Sequence, residues 1–314
     1  MRVAVLKGGR SLERQVSLRS AARVEEALGA LGHEAIPLDV GGDLVRRIEE
    51  VAPDLAFIAL HGPGGEDGTP QELLEILEIP YTGSGVAACM RSMDKVLTKH
   101  LLRAAGIPTP DWVAFNSTAF RELGAADALP QIEARLGFPL VVKPAAQGSA
   151  LGVRLAASRS DVPEALLAAF SYDDRVLLER HIAGRELAVS LLDSEPLPAV
   201  EVLPADQDLF NYEARYEIGR TEFACPAALT MNEAAEAERV ARATYEILDC
   251  SGFARVDLIL DDDGTPQVLE AQAIPGLTDT SLLPIAADAA GIDFEDLVRR
   301  IVDLARDSAP RARL

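Results

Sequence analysis

Apolar and polar positions divide this chain into short strands and amphipathic helices. Residues 2–7 form a brief apolar run closed by Gly8-Gly9, and residues 17–31 then repeat apolar side chains at helical spacing. The pattern predicts a strand, a glycine turn and a helix. A strand over 33–40, a helix over 43–51 and a buried strand over 55–60 that delivers His61-Gly62 complete a small parallel α/β unit within the first ninety residues. Open sheets of this kind bind ligands beyond the carboxyl ends of their strands, here at Lys7-Gly8-Gly9 and His61-Gly62.

A helix over 93–105 stops at Gly106-Ile107-Pro108-Thr109-Pro110, a proline-punctuated joint that marks a domain boundary. Beyond it, 138–144 reads as a strand ending in Lys143-Pro144, 147–152 as a small-residue loop and 153–155 as extended chain, so a hairpin with a flap is expected. Strands over 176–179 and 186–192 flank the Ala183-Gly184 turn. Residues 206–219 lack periodicity and read as a functional loop. An amphipathic helix over 232–248, a strand over 253–260, an Asp261-Asp262-Asp263-Gly264 turn, a returning strand over 267–270 and a helix over 294–306 close the pattern.

Composition adds limits. A chain of 314 residues that is 48% hydrophobic and 25% charged is too large for one ordinary core and is not disordered. Its 50 acidic against 30 basic residues give a formal net charge of −20, which argues against nucleic acid or an anionic membrane as partner. An anionic ligand must then be held by a local cluster of basic groups and amides. The start resembles neither a signal nor a transit peptide, and no apolar run approaches the ~18 residues of a membrane span, so a cytoplasmic location is expected. Cys89, Cys225 and Cys250 are scattered without CxxC spacing and read as small buried hydrophobes in a reducing compartment.

The most specific chemistry lies in the predicted hairpin. Arg255 and Asp257 share one strand face, and Glu270 and Gln272 can meet them across the ladder. Two carboxylates, an amide oxygen and a guanidinium suit Mg²⁺ with phosphate oxygens, although a cross-strand salt bridge has the same pattern. Lys95 and Lys143 stand beside structural breaks, and the loop from Gln147 to Gly152 offers backbone amides. They can serve a phosphate or simply face solvent, and no GxxxxGK(S/T) or GxGxxG motif is present. His61 sits in a loop too glycine-rich for helix or strand, where it can orient a substrate, shuttle a proton or pair with a neighbouring carboxylate.

Taken in order, several strings are specific. They include Gly8-Gly9 with Ser11, Glu13 and Arg14; His61-Gly62 with Gly65-Glu66-Asp67-Gly68; Tyr81-Thr82-Gly83-Ser84-Gly85; and Met93-Asp94-Lys95. Lys143-Pro144 with Gly148-Ser149, Tyr212, Tyr216, Cys225-Pro226-Ala227, Arg255, Asp257, Glu270, Pro275-Gly276 and Ser281-Leu282 follow. Over about residues 3 to 305 this set resembles the D-alanine–D-alanine ligases of the ATP-grasp superfamily. The resemblance implies an α/β fold, α+β in its ATP-grasp part. It divides the chain into an N-terminal parallel α/β substrate-binding domain (1–93), a central ATP-grasp domain (94–182) and a C-terminal catalytic and metal-binding ATP-grasp domain (183–314).

It further implies a cytoplasmic homodimer that joins two D-alanines through an acyl phosphate, using ATP and one or two Mg²⁺ or Mn²⁺ ions, for peptidoglycan precursors. Lys95, Lys143, Glu179, Glu186 and Arg215 are similar to nucleotide-binding residues, and Asp257, Glu270 and Gln272 to the metal ligands. Glu13, linked to Ser149 and Tyr216, matches the residue that receives the first substrate's ammonium group, with His61 near its carboxylate. Arg255 and the Gly276 amide match the groups that stabilise the transferring phosphoryl and the oxyanion, and Ser281 and Leu282 those that hold the second carboxylate. Tyr216 favours an amine nucleophile over D-lactate. Four departures from the pattern stand out, one of them a residue pair. Gln272 replaces an asparagine, moving its amide oxygen by about 1.5 Å. Ala150 replaces a serine, Arg215 a lysine, and Cys89-Met90 a small-residue pair. A ligase of the same fold for other amino acids, and a nucleotide-binding homologue with little catalysis, remain the alternatives. The basic residues Lys95, Lys143, Arg215 and Arg255 are expected to concentrate positive potential in one cleft.

Overall fold

The computed structural model describes residues 1–204 and 221–307. Its first part alternates strand and helix: β1 (Arg2–Lys7), α1 (Arg14–Ala30), β2 (Glu34–Asp39), α2 (Leu44–Val51), β3 (Leu55–Ile58), α3 (Thr69–Ile76) and α4 (Val86–Met93). The strands form a parallel sheet in the order β2-β1-β3. β1 is central, and its Val3 to Leu6 run is fully buried, as a parallel strand covered on both faces requires.

The middle part holds α5 (Lys95–Ala104), β4 (Trp112–Asn116), α6 (Ser117–Arg121), α7 (Leu129–Leu136), β5 (Leu140–Pro144), β6 (Arg154–Ala156), α8 (Val162–Phe170) and β7 (Arg175–Arg180). Its antiparallel sheet runs β4-β7-β5-β6. The helix expected over 93–105 stands as α5 but starts at Lys95, and Met93 ends the preceding α4, because Asp94 adopts an extended backbone and its carboxylate accepts the amides of Val96 and Leu97 as an N-cap. The break makes Lys95 the first residue of α5.

The last part comprises β8 (Gly184–Leu192), β9 (Glu195–Pro196), β10 (Val200–Pro204), β11 (Thr221–Ala224), α9 (Met231–Ile247), β12 (Phe253–Asp261), β13 (Pro266–Gln272), α10 (Leu282–Ala289) and α11 (Phe294–Asp307). The sheet order is β11-β10-β8-β12-β13, with β9 paired to β8. One core joins the first and last parts: Val24, Leu28 and Phe57 pack in the same cluster as Phe253, Leu283, Leu297 and Ile301. The two remote ends of the chain therefore bury apolar area together, and the cleft between them is held by a shared interior.

Candidate active site

The β12–β13 hairpin has the register that the sequence pattern requires: Arg255 faces Gln272 and Asp257 faces Glu270. Arg255 holds Asp257 with both arms of its fork, Nε to Oδ1 at 2.7 Å and Nη2 to Oδ2 at 2.8 Å, and both side chains are buried. Just past this pair the ladder slips by one residue, so that Val268 rather than Leu269 opposes Leu258. Such a bulge re-aims side chains. Here it lets both Leu269 and Glu270 line one cleft.

That cleft, with about 850 Å³ of empty space, lies between the middle and last sheets and is also lined by Lys95, Lys143, Glu179, Glu186 and Asp257. A second cleft of about 480 Å³ is lined by Glu13, His61, Ser149, Arg255 and Gln272. A smaller cavity shares Lys95 and Glu270 with the first and Gln272 with the second. Lys95 pairs with Glu270 at 3.1 Å and donates to the Gln147 carbonyl at 2.7 Å, while Lys143 pairs with Glu179 at 2.7 Å. The expected concentration of positive charge is thus corrected: in Lys95, Lys143 and Arg255 each cation faces a carboxylate. Buried charges are tolerated only when paired in this way. Arg215, with Tyr212 and Tyr216, lies outside the described residues.

Glu13 immediately precedes α1 and is buried. Its Oε1 accepts the Ser149 hydroxyl, which reaches it from the loop between β5 and β6. Its Oε2 is buried without a hydrogen-bond partner. The backbone crowds this carboxylate: a Cβ on Gly62, whose φ is +72°, would stand 2.4 Å from Oε2, and one on Gly148 would stand 2.6 Å away. Only glycine permits that approach. Burial, and next the charge of Glu66, raise the Glu13 pKa to about 7, against the Ser149 hydrogen bond and the charges of His61 and Lys95.

His61 is held at both ring nitrogens, Nδ1 3.0 Å from Glu66 Oε1 and Nε2 3.1 Å from Ser20 Oγ. It therefore has the carboxylate partner and also borders the second cleft. Ser20 Oγ additionally accepts the Leu277 amide at 3.2 Å, tying α1 to the loop that carries Gly276. Gly276, Ser281 and Leu282 complete this cleft. A Cβ on Gly276 would stand 2.8 Å from Ser281 Oγ. Ser281 caps α10 without using its side chain on the helix, so the first amides and the positive end of the helix dipole remain open to a carboxylate. Ser20 and Glu66 were missed as site residues. The available signal was a pair of hydroxyls, Ser17 and Ser20, on the otherwise apolar buried face of α1.

Among the described residues no three His, Cys, Asp or Glu side chains cluster as a metal site. The hairpin does bring the oxygens of Asp257, Glu270 and the Gln272 amide to one place, with Gln272 Nε2 3.5 Å from Glu270 Oε1. Hard oxygens in that number fit a divalent cation that takes its remaining ligands from phosphate and water.

The description "D-ala D-ala ligase C-terminus" matches residues 101–303, and "D-ala D-ala ligase N-terminus" matches 45–84. A D-alanine–D-alanine ligase of Synechococcus sp. (strain JA-3-3Ab) is 43% identical over 317 residues, covering 100% of this chain and 95% of that protein. The crystal structure of D-alanine–D-alanine ligase from Bacillus anthracis superposes with TM-score 0.85 at 35% identity, covering 98% of each chain. The same enzyme complexed with ATP gives 0.83 at 34%, again covering 98% of each chain. The architecture is the ATP-grasp fold of these ligases, preceded by a parallel α/β sheet. By sequence along its whole length and by fold, this chain belongs to the D-alanine–D-alanine ligase family.

Proposed function

We propose that this enzyme joins two molecules of D-alanine at the expense of ATP, through an acyl phosphate, in the supply of peptidoglycan precursors. The observation that carries it is the pair of clefts, one lysine-lined and one bearing a buried carboxylate, that meet at Arg255, Asp257, Glu270 and Gln272. In the first step a carboxylate oxygen of one D-alanine bonds to the γ-phosphorus of ATP as the bond to the β-phosphate oxygen breaks. In the second, the amine of another D-alanine attacks the acyl carbon, loses a proton and expels phosphate. Both steps gather negative charge that fixed donors stabilise.

Lys95 and Lys143 bind the nucleotide phosphates, with Glu179 at the adenine side, Glu186 at the ribose and Arg215 on the loop. Glu13, supported by Ser149 and Tyr216, takes the ammonium of the first D-alanine, which supplies the donor its orphaned Oε2 needs, and His61 borders that substrate's carboxylate. Arg255 and the Gly276 amide face the developing charge, while Ser281 and the Leu282 amide hold the second carboxylate. Asp257, Glu270 and Gln272 would hold one or two Mg²⁺ or Mn²⁺ ions, which supply neutralisation of phosphate charge. Residues 1–93 serve the first substrate, 94–182 cover the nucleotide and 183–314 carry the catalytic and metal groups, a division supported by the three sheets. A cytoplasmic homodimer without membrane or nucleic-acid partners completes the reading and rests on the family likeness; no helix among the described residues is long and apolar enough to cross a membrane.

Phosphate release from Mg-ATP is expected with D-alanine and not with L-alanine. Release only with another amino acid would assign a different substrate, and none with any would leave nucleotide binding alone. Gln272→Asn should keep or raise the rate. A large loss in that variant would mean that the metal site is built around the longer amide.

A further inference from the structure

Lys99 lies one turn beyond Lys95 on α5 and does not line the nucleotide cleft, yet its side chain is fully buried behind it. A lysine is almost never so deep unless it is paired. Its Nζ forms an ion pair with Glu179 Oε2, donates to Thr109 Oγ1 at 2.6 Å and to the Pro110 carbonyl at 3.4 Å, and stands 5.5 Å from the centre of the Trp112 ring. The Thr109 hydroxyl donates in turn to the Val268 carbonyl on β13 at 2.7 Å. The other oxygen of Glu179 accepts from Lys143. One carboxylate is therefore clamped between two ammonium groups, Lys143 in the cleft and Lys99 behind it.

The charge count explains what the second ammonium does. Lys143 and Glu179 alone make a neutral pair, whose field at a phosphate a few ångströms away largely cancels. Adding Lys99 leaves the triad with one net positive charge. We propose that Lys99 is a positioning residue that holds Glu179 from behind and offsets its charge, so that Lys143 presents its own charge to the nucleotide phosphates. The inference rests on the nucleotide-binding role given above to Lys143 and adds the residue that sustains it.

The groups facing Lys99 are Glu179 on β7, Lys143 on β5 and Arg103 on its own helix. Burial, helped by Lys143 and Arg103 and opposed by Glu179, lowers its pKa from 10.5 to about 8. Lys99 is thus charged below about pH 8 and neutral above it, and nucleotide affinity should fall as pH rises through that value.

The test is calorimetric titration of the full chain with Mg-ADP between pH 7 and 9.5, a range above the last phosphate ionisation. The wild type should lose affinity across about pH 8, and Lys99→Met should bind about tenfold more weakly at pH 7 and show no break. A wild-type profile flat through pH 8, or wild-type affinity in Lys99→Met at pH 7, overturns the inference. The wild-type profile decides alone if the variant does not fold. Lys143→Met separates the two ideas. Undiminished binding there removes the nucleotide role of Lys143 itself, whereas weak binding there with normal binding in Lys99→Met removes only the role of Lys99.

Discussion

An Arg255→Lys enzyme should turn over about 10²–10³-fold more slowly with D-alanine and Mg-ATP, equivalent to about 2.7–4 kcal/mol of lost transition-state stabilisation. Its KM for ATP should change little. Arg255 sits where the two clefts meet and does two things at once: it borders the second cleft and fixes Asp257 through two parallel hydrogen bonds. Lysine keeps the charge but has one ammonium in place of the planar fork, so it cannot hold both carboxylate oxygens and still reach a developing oxyanion. The conservative variant matters, because Arg255→Met would leave Asp257 buried with its ion pair broken and cost about 3–5 kcal/mol of stability. Steady-state phosphate release with thermal melting separates the effects. A rate within tenfold of wild type and a lowered Tm would reduce Arg255 to a strut for Asp257.

Glu13→Gln is expected to lower kcat/KM for the first D-alanine by about a hundredfold or more, the usual consequence of removing one partner of a buried charge pair. The pH dependence gives an independent check with a definite sign. The Glu13 pKa, raised to about 7 mainly by burial, makes the carboxyl neutral below that value. An ammonium ligand needs the anion, so kcat/KM should fall as pH drops below about 7, approaching tenfold per unit, and level off above it. Stability runs the other way. A carboxyl whose folded pKa lies above its unfolded value destabilises the fold at high pH, and the cost is relieved as pH falls through 7 towards 4.5. At pH 8 the Glu13→Gln protein should therefore be more stable than wild type, by about 1–3 kcal/mol. Glu66→Gln, which removes the second cause of the rise, should move the break to lower pH. A profile flat from pH 8 to 5.5 would rule out Glu13 as the ammonium receptor.

The elements legible in the chain were those with strong periodicity. The strand–turn–helix opening, the 253–272 hairpin and the long helices after 230 and 293 all stand within a few residues of their expected bounds. Boundaries slipped where a polar side chain replaced a backbone partner, as at Asp94, because capping is decided by one contact and leaves the hydrophobic pattern unchanged. The short, half-buried β4 carries too little pattern to read alone and depends on pairing with β7, whereas β6 stands within one residue of the extended chain expected over 153–155 and pairs with β5 as the hairpin requires.

Local order along the sequence determined the chemistry on each element: Arg255 and Asp257 on one face, Glu270 and Gln272 opposite, Lys143 at a strand end, Ser149 on a flap and His61 on a glycine loop. These follow from periods of two and from glycine and proline positions, which are properties of neighbours in the chain. What only the tertiary structure decided were the contacts between distant segments. Ser149 reaches Glu13 across 136 residues, and Ser20 meets His61 across 41 and Leu277 across 257. The surroundings of Glu13 and the burial of Lys99 belong to the same class, because a pKa and a desolvated charge depend on what the whole fold packs around a group. Periodicity reports only which side of its own element that group occupies.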